Sequence, residues 1–240
     1  MIRAERRGAV ALITLDRQER RNAIDQTACR DLADAVGQTE DARVVVVTGA
    51  GGHFCAGADL SHVEDTAFVE ALRAALLALR DVPKPVIAAV EGAALGAGTQ
   101  LAIACDLRVA TPDARFGIPA AKLGLMVDHW TVQRLALLAG HGPARSMLLA
   151  AEVLDGAAAA GLGLVQRVGT LADALAWADE IAMLAPLTIA GHKLMLNRCE
   201  DEVHNDPEVA DAFARAWRSS DLAEGMAAFK ERRPPRFTGD

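Results

Sequence analysis

The 240-residue sequence contains no tyrosine, which removes the phenol on which a short-chain dehydrogenase leans. The spacing G-x-G-x-x-G is also missing, so neither glycine loop fits a dinucleotide fingerprint. Neither G-x-x-x-x-G-K-[ST] nor G-x-S-x-G occurs, which excludes the usual phosphate loop and the hydrolase elbow. Cysteine is scarce and scattered at Cys29, Cys55, Cys105 and Cys199, with no C-x-x-C pair. That disfavours a zinc site or a disulfide framework and fits a reducing compartment, with the cytoplasm as default. His53 and His62 flank one loop but lack metal-ligand spacing, so no metal is expected. No apolar run approaches the roughly 18–20 residues of a membrane span, and "MIRAERRGAVALITLDR" does not read as a signal peptide. A basic excess is absent too. The net charge of −7 argues against nucleic acid as a general partner, while leaving room for a small anion on a local basic cluster.

What is present is an alternation of strands and helices. "AVALITLDR" alternates as a strand, and "DQTACRDLADAVGQ" sets Ala28, Leu32, Ala35 and Val36 at helical spacing. "RVVVVTGAGG" is a β-branched run ended by glycines, as for a strand buried on both faces. "DTAFVEALRAALLALRDVPKP" puts Phe68, Leu72, Leu76 and Leu79 on one helical face, closed by Pro83. "KPVIAAVEG" is a second buried strand, followed by a glycine turn and a short helix. "DLRVATPDARFG" reads as two short strands. From about Trp130 onward nearly everything reads as helix, with one strand candidate at "GLVQRVG". The class is α/β with a helical C-terminal part.

Two glycine loops follow buried strands, "TGAGGHFCAGADL" and "EGAALGAGTQL". Such turns either pack closely on a neighbour or present backbone N–H groups to an acceptor. Two converging donors would make an oxyanion hole, and a helix starting near Gly98 would add the positive end of its dipole.

The segments "LDRQERRNAID", "VVVVTGAGGHFCAGADL", "KPVIAAVEGAALGAGTQLAIACDLRVA" and "ARFGIPAAKLGL", with the closing "AFKERRPPRFTG", resemble the successive signatures of the enoyl-CoA hydratase/isomerase (crotonase) family. The resemblance runs the length of the chain in the right order. It implies a core of repeated ββα units in a spiral over residues 1–185, helix-rich from about 130. It also implies a helical trimerisation region over residues 186–240, and a homotrimer or a dimer of trimers. The implied ligand is an acyl- or enoyl-coenzyme A thioester of fatty acid metabolism, with no separate cofactor. Its carbonyl oxygen would be held by the N–H groups of Ala56 and Ala97, with Asp59 bracing the loop. Arg21, Asn22 and Ala23 lie in the segment that touches the nucleotide in relatives. Lys230, Arg232 and Arg233 cluster where relatives offer a basic residue to a phosphate; a solvated helix end is the alternative for that cluster. Phe68, Leu125, Met126 and Trp130 read as core or as walls of the acyl pocket. "DLSHVEDTAFVEAL" corresponds to the family's variable loop over the acyl chain and is short.

Hydratases of the family carry one glutamate on the helix after the glycine turn and another after the "FG-x-P" motif. Here those places hold Gln100 and Ala120. An amide orients water without accepting its proton near neutral pH, and a methyl group does neither. Loss of a general acid or base costs typically about 10²–10⁴-fold each, so hydration should be very poor. Asp128 occupies a place where some isomerases of the family carry a proton-transferring aspartate; equally, it reads as the N-cap of the following helix. The sequence thus carries several readings: an acyl-CoA binding protein that presents its ligand to another protein of lipid metabolism, an isomerase built on Asp128 with Gln100 or a water, or a residual hydratase.

Overall fold

Four consecutive valines, Val44–Val47, explain the layering. Successive side chains on a strand point to opposite faces, and here both faces are dry. Val45 and Val47 enter the main core, whereas Val44 and Val46 enter a second, smaller one. The computed structural model describes residues 1–59, 66–200, 211, 214 and 217–238.

Strand β1 (Ile2–Arg7) turns at Gly8 into β2 (Val10–Leu15), and α1 (Gln26–Gly37), β3 (Val44–Gly49), α2 (Thr66–Asp81) and β4 (Val86–Val90) follow. A short β5 (Ala93–Leu95) leads into α3 (Ala97–Ala104), followed by β6 (Leu107–Ala110) and β7 (Arg115–Gly117). A 3₁₀ turn over Pro119–Leu123 precedes α4 (His129–Ala139) and α5 (His141–Leu149). Then come β8 (Val153–Asp155), α6 (Gly156–Gly161), β9 (Arg167–Val168) and α7 (Leu171–Ala182). Helices α8 (Pro186–Glu200) and α9 (Ser220–Glu231) close the described chain.

The main sheet has the order β1-β2-β3-β4-β6-β9, with only the β1–β2 pair antiparallel. Helix α7 lies on one face with Ala174, Ala178 and Ala182 against Val10, Leu12, Val44, Val46, Ile87 and Val109. Alanine every fourth residue keeps that stripe thin enough for the helix backbone to sit close to the sheet. The other face carries the large core, to which α1 contributes Ala28, Leu32, Ala35 and Val36 and α2 contributes Phe68, Leu76 and Leu79. A second sheet, β5-β7-β8, sets β5 beside β7 and so aims the start of α3.

Three strands escape the sequence pattern, one being β5, inside the stretch read as a glycine turn. Strand β1 is an edge strand of largely exposed, charged residues, "IRAERR", so it shows no apolar alternation. Strand β8 lies inside "GPARSMLLAAEVL", read as one helix. Ala151 adopts φ +51°, a conformation the residue rarely takes, and the chain there leaves α5 for the β7 edge. No single described helix is long and apolar enough to cross a membrane.

Candidate functional site

The first glycine loop is held by an asparagine. The turn after β3 passes through Gly51 and Gly52, both at positive φ. Asn22, 1% exposed, donates its amide to the carbonyls of Ala50 (2.8 Å) and His53 (2.6 Å) and accepts from the Arg17 N–H (2.9 Å). A buried amide this well satisfied is a structural clamp, which places Asn22 under the loop rather than against a nucleotide. Arg17 completes the clamp through ion pairs to Asp59 (2.9 Å) and Asp25 (3.3 Å), so Asp59 braces the loop as its motif suggests.

The loop then runs parallel to the second one. Phe54 and Cys55 donate to the carbonyls of Glu91 and Ala93, both at 2.8 Å, and Leu95 donates to Cys55 at 3.0 Å. On the opposite side, Ala56 donates to the Arg21 carbonyl at 3.0 Å and Asp59 to Ile24 at 2.7 Å. This corrects one expectation. The Ala56 N–H is spent on closing the loop against residues 21–24 and is not free for a ligand. Gly57, at φ +121°, resets the alternation of N–H directions, so that Asp59 rather than Ala58 reaches Ile24. The Ala58 N–H has no hydrogen-bond partner among the described residues. Ala58 lies three residues beyond the Cys55–Ala94 bridge, and Ala97 lies three residues beyond it on the other strand. By position, the counterpart of Ala97 in the first loop is therefore Ala58. The motif letters conceal this, because which N–H turns outward depends on the φ of Gly57.

Ala97 is the first residue of α3, so its N–H has no partner within the helix. Gly98 seats the helix on the first loop: a methyl group there would lie 2.1 Å from the Cys55 carbonyl oxygen. The close-packing reading of this turn is therefore met at Gly98, next to a helix-start N–H at Ala97. Thr99, a residue the motif analysis passed over, knots three segments together. Its hydroxyl bonds to the carbonyls of Ala94 (2.6 Å) and Gly117 (2.9 Å) and lies 3.0 Å from the Gly117 N–H. That ties the "FG-x-P" segment, and with it Ala120, to α3.

Gln100 is buried, 5% exposed, and its Nε2 donates to Thr131 Oγ1 at 2.8 Å. The Thr131 N–H in turn donates to Asp128 Oδ1 at 2.7 Å, with Asp128 as the N-cap of α4. One line of hydrogen bonds thus joins Gln100 and Asp128, and of the two readings of Asp128 the structure displays capping. Ala120 is half-buried and packs on the main core. Phe68 is a core residue, 4% exposed. Met126 and Trp130 are half-buried; Met126 lends its carbonyl to the indole N–H of Trp217 (2.9 Å), and the Trp130 Nε1 is enclosed without a partner. Cys55 lies inside the first loop, fully buried, and burial pushes its thiol up to about 12, so it is protonated and no nucleophile at neutral pH.

Arg21 is exposed and Ala23 half-buried. Lys230 and Arg232 are exposed at the end of α9, while Arg233 is committed to Glu224 (2.6 and 2.8 Å) and Glu231 (2.6 Å). Those bonds pull the Glu224 carboxyl down to about 2. Arg233 therefore leaves the expected basic cluster as a compensated charge. Residues 60–65 of the variable loop, His62 included, lie outside the described residues. Among the described residues no group of three or more His, Cys, Asp or Glu side chains is placed to hold a metal ion.

The family profile described as Enoyl-CoA hydratase/isomerase matches residues 5–240. A Mycobacterium tuberculosis protein named as a probable enoyl-CoA hydratase, echA6, is 46% identical over 234 residues, 96% of each chain. A short-chain-enoyl-CoA hydratase of Clostridium acetobutylicum is 33% identical over 246 residues, 95% of this chain and 94% of that one. A crystal structure of methylmalonyl CoA decarboxylase superposes with a TM-score of 0.92 at 25% identity, covering 100% of this chain and 98% of the other. The chain belongs to the enoyl-CoA hydratase/isomerase family and has the crotonase fold.

Proposed function

We propose that this family member binds acyl- and enoyl-coenzyme A thioesters without hydrating them, and holds them for hand-over to another protein of lipid metabolism. The thioester carbonyl accepts hydrogen bonds from Ala58 and Ala97. The acyl chain runs along Met126 and Trp130, and Arg21, Ala23 and Lys230 serve the coenzyme A end. The observation that carries this reading is the state of the two glutamate places. Ala120 has no polar group, and the Gln100 amide, already bound to Thr131, does not take a proton from water. The carboxylate of Asp128 is engaged as a helix cap. Polarising donors without an acid or base are enough to hold a carbonyl and not enough to add water to it.

Copies of the chain associate in this reading through α8, where Leu187, Leu194, Met195 and Leu196 are 57–87% exposed. Large apolar side chains this exposed along one helix mark an association surface.

The test is mass spectrometry of 2-enoyl- and 3-enoyl-CoA thioesters incubated with the protein in D₂O, beside the Gln100→Glu/Ala120→Glu variant. The wild type should leave every substrate mass unchanged while each thioester raises its melting temperature. The double variant should gain water addition by about 10² or more. Added water with the wild type would overturn the reading in favour of a hydratase. Carbon-bound deuterium without added water would overturn it in favour of an isomerase built on Asp128.

A further inference from the structure

The helix that offers Ala97 is unusual in how its other end is held. The last carbonyls of a helix lack partners within it, and in α3 two guanidinium groups take them. Arg108, with no exposed surface, donates from Nη1 to the carbonyls of Ala102 (3.1 Å) and Cys105 (2.9 Å), and from Nη2 to Asp106 (3.2 Å). Arg134, 6% exposed and carried by α4, donates from Nε to Ile103 (2.9 Å) and from Nη2 to Cys105 (3.4 Å). Burial and the charge of Arg134 lower the Arg108 pKa only to about 10, so it remains a cation at neutral pH.

Helix α3 has eight residues, a length of about 12 Å. A helix carries roughly half a positive charge at its start and half a negative charge at its end. In a long helix the negative end is remote from anything bound at the start. In α3 it is near enough to subtract from the pull on an oxygen beside Ala97, across a buried interior that screens little. Two cations at that end offset the subtraction, beside an Asp106 carboxylate that is itself paired with Lys193.

We propose that Arg108 and Arg134 are positioning residues for the thioester carbonyl: seated on the C-terminal carbonyls of α3, they raise the polarising power of its N-terminal end at Ala97. The proposal rests on the reading that a thioester carbonyl binds at Ala58 and Ala97. It goes further by assigning part of the polarisation to two residues at the opposite end of the helix. Capping alone needs donors, which a neutral amide supplies; polarisation needs the charge. A unit charge about 14 Å away at an effective dielectric near 20 changes the binding of a full oxyanion roughly fivefold to tenfold, and that of a neutral carbonyl by a fraction of this.

The experiment compares wild type, Arg134→Lys and Arg134→Gln, each bound to an acyl-CoA labelled with ¹³C at the thioester carbonyl. Difference infrared spectroscopy reads the carbonyl stretch. Titration gives the preference for the thioester over its thioether analogue, which lacks the oxygen. Wild type should lower the stretch relative to free ligand, and Arg134→Lys should keep most of that shift. Arg134→Gln should lose a clear part of it, with the thioester preference falling about two- to fivefold. A folded Arg134→Gln variant with the wild-type band and preference would overturn the proposal. So would an Arg134→Lys variant that keeps the charge yet loses the shift, a result readable even if the glutamine variant does not fold. A wild type that binds the ligand with no lowered stretch would overturn the carbonyl placement itself, and the proposal with it.

Discussion

Helix α3 spends all eight of its residues inside the chain, whereas α8 turns its leucines outward and buries Lys193 and Asn197. The first is fixed by close backbone contact: Gly98 against the Cys55 carbonyl, Thr99 between two strands, and guanidinium groups on its last carbonyls. The second is fastened by polar anchors. Lys193 Nζ bonds to the carbonyls of Leu79 (3.2 Å) and Lys84 (3.0 Å) and to Asp106 Oδ2 (2.7 Å), and Asn197 Nδ2 bonds to the Arg80 carbonyl (2.9 Å). Two of those carbonyls lie at the end of α2, which α8 therefore caps from the side. A helix that buries polar groups in its own chain and shows apolar ones to the outside suits the association surface proposed above. In the proposed reading the thioester site is thus built within one chain, and the association surface serves between chains.

Three changes break or sharpen that contrast. The largest effect is expected at the α8 anchor. Lys193→Met leaves the half-buried Asp106, 22% exposed in its side chain, without its ammonium partner; loss of one partner of a buried pair costs about 3–5 kcal/mol, and the effect is measurable by urea denaturation at neutral pH. Burial holds the Asp106 pKa above its ordinary value, and Lys193 works against that rise. The sign follows. A folded pKa above the unfolded one means stability lost as the pH rises through it, and removing Lys193 enlarges that loss. The cost of Lys193→Met should therefore shrink as the pH falls toward the ordinary carboxylate range and Asp106 takes up its proton.

Next comes the seat of α3. Gly98→Ala forces a methyl group against a backbone carbonyl that cannot swing away, at a cost of about 3 kcal/mol. The same variant should weaken thioester binding, since the two loops separate, and calorimetry with an acyl-CoA would show both losses. The smallest effect on the subunit is expected from Leu187→Glu with Leu196→Glu. Exposed substitutions cost within about 0.5 kcal/mol, yet sedimentation velocity should show the assembly falling to a smaller species. An unchanged species would place the association surface elsewhere.

Much of this was legible from the sequence. The valine run, the glycine punctuation and the spacing in α1 and α2 gave the layers, because apolar periodicity is what those elements bury. The Asp128 cap was legible too, since an aspartate ahead of a helical run has a local, one-turn function. Four features were not. Strand β1 carries no apolar alternation because it is an edge, and β8 is too short to show a period. The Ala56 N–H, expected to be free, bonds to the Arg21 carbonyl, because a single glycine dihedral decides which N–H groups turn inward. The anchors at Lys193 and Asn197 depend on where α8 lies in space, which no local pattern encodes.

The Asn22 clamp and the Gly98 seat also say something about time. Asn22 reaches Ala50 and His53, 28 and 31 residues onward, and Gly98 rests on Cys55, 43 residues back. Closing such long segments carries an entropy cost that only established neighbours offset. The parallel pairings of β2 with β3 and of β3 with β4 close spans of similar length, as from Val10 to Val44 and from Val45 to Val86, so sheet register and loop closure support one another. The loops carry fewer such pairings than the strands, and hydrogen exchange in loops 49–59 and 92–98 should report openings that leave the sheet intact.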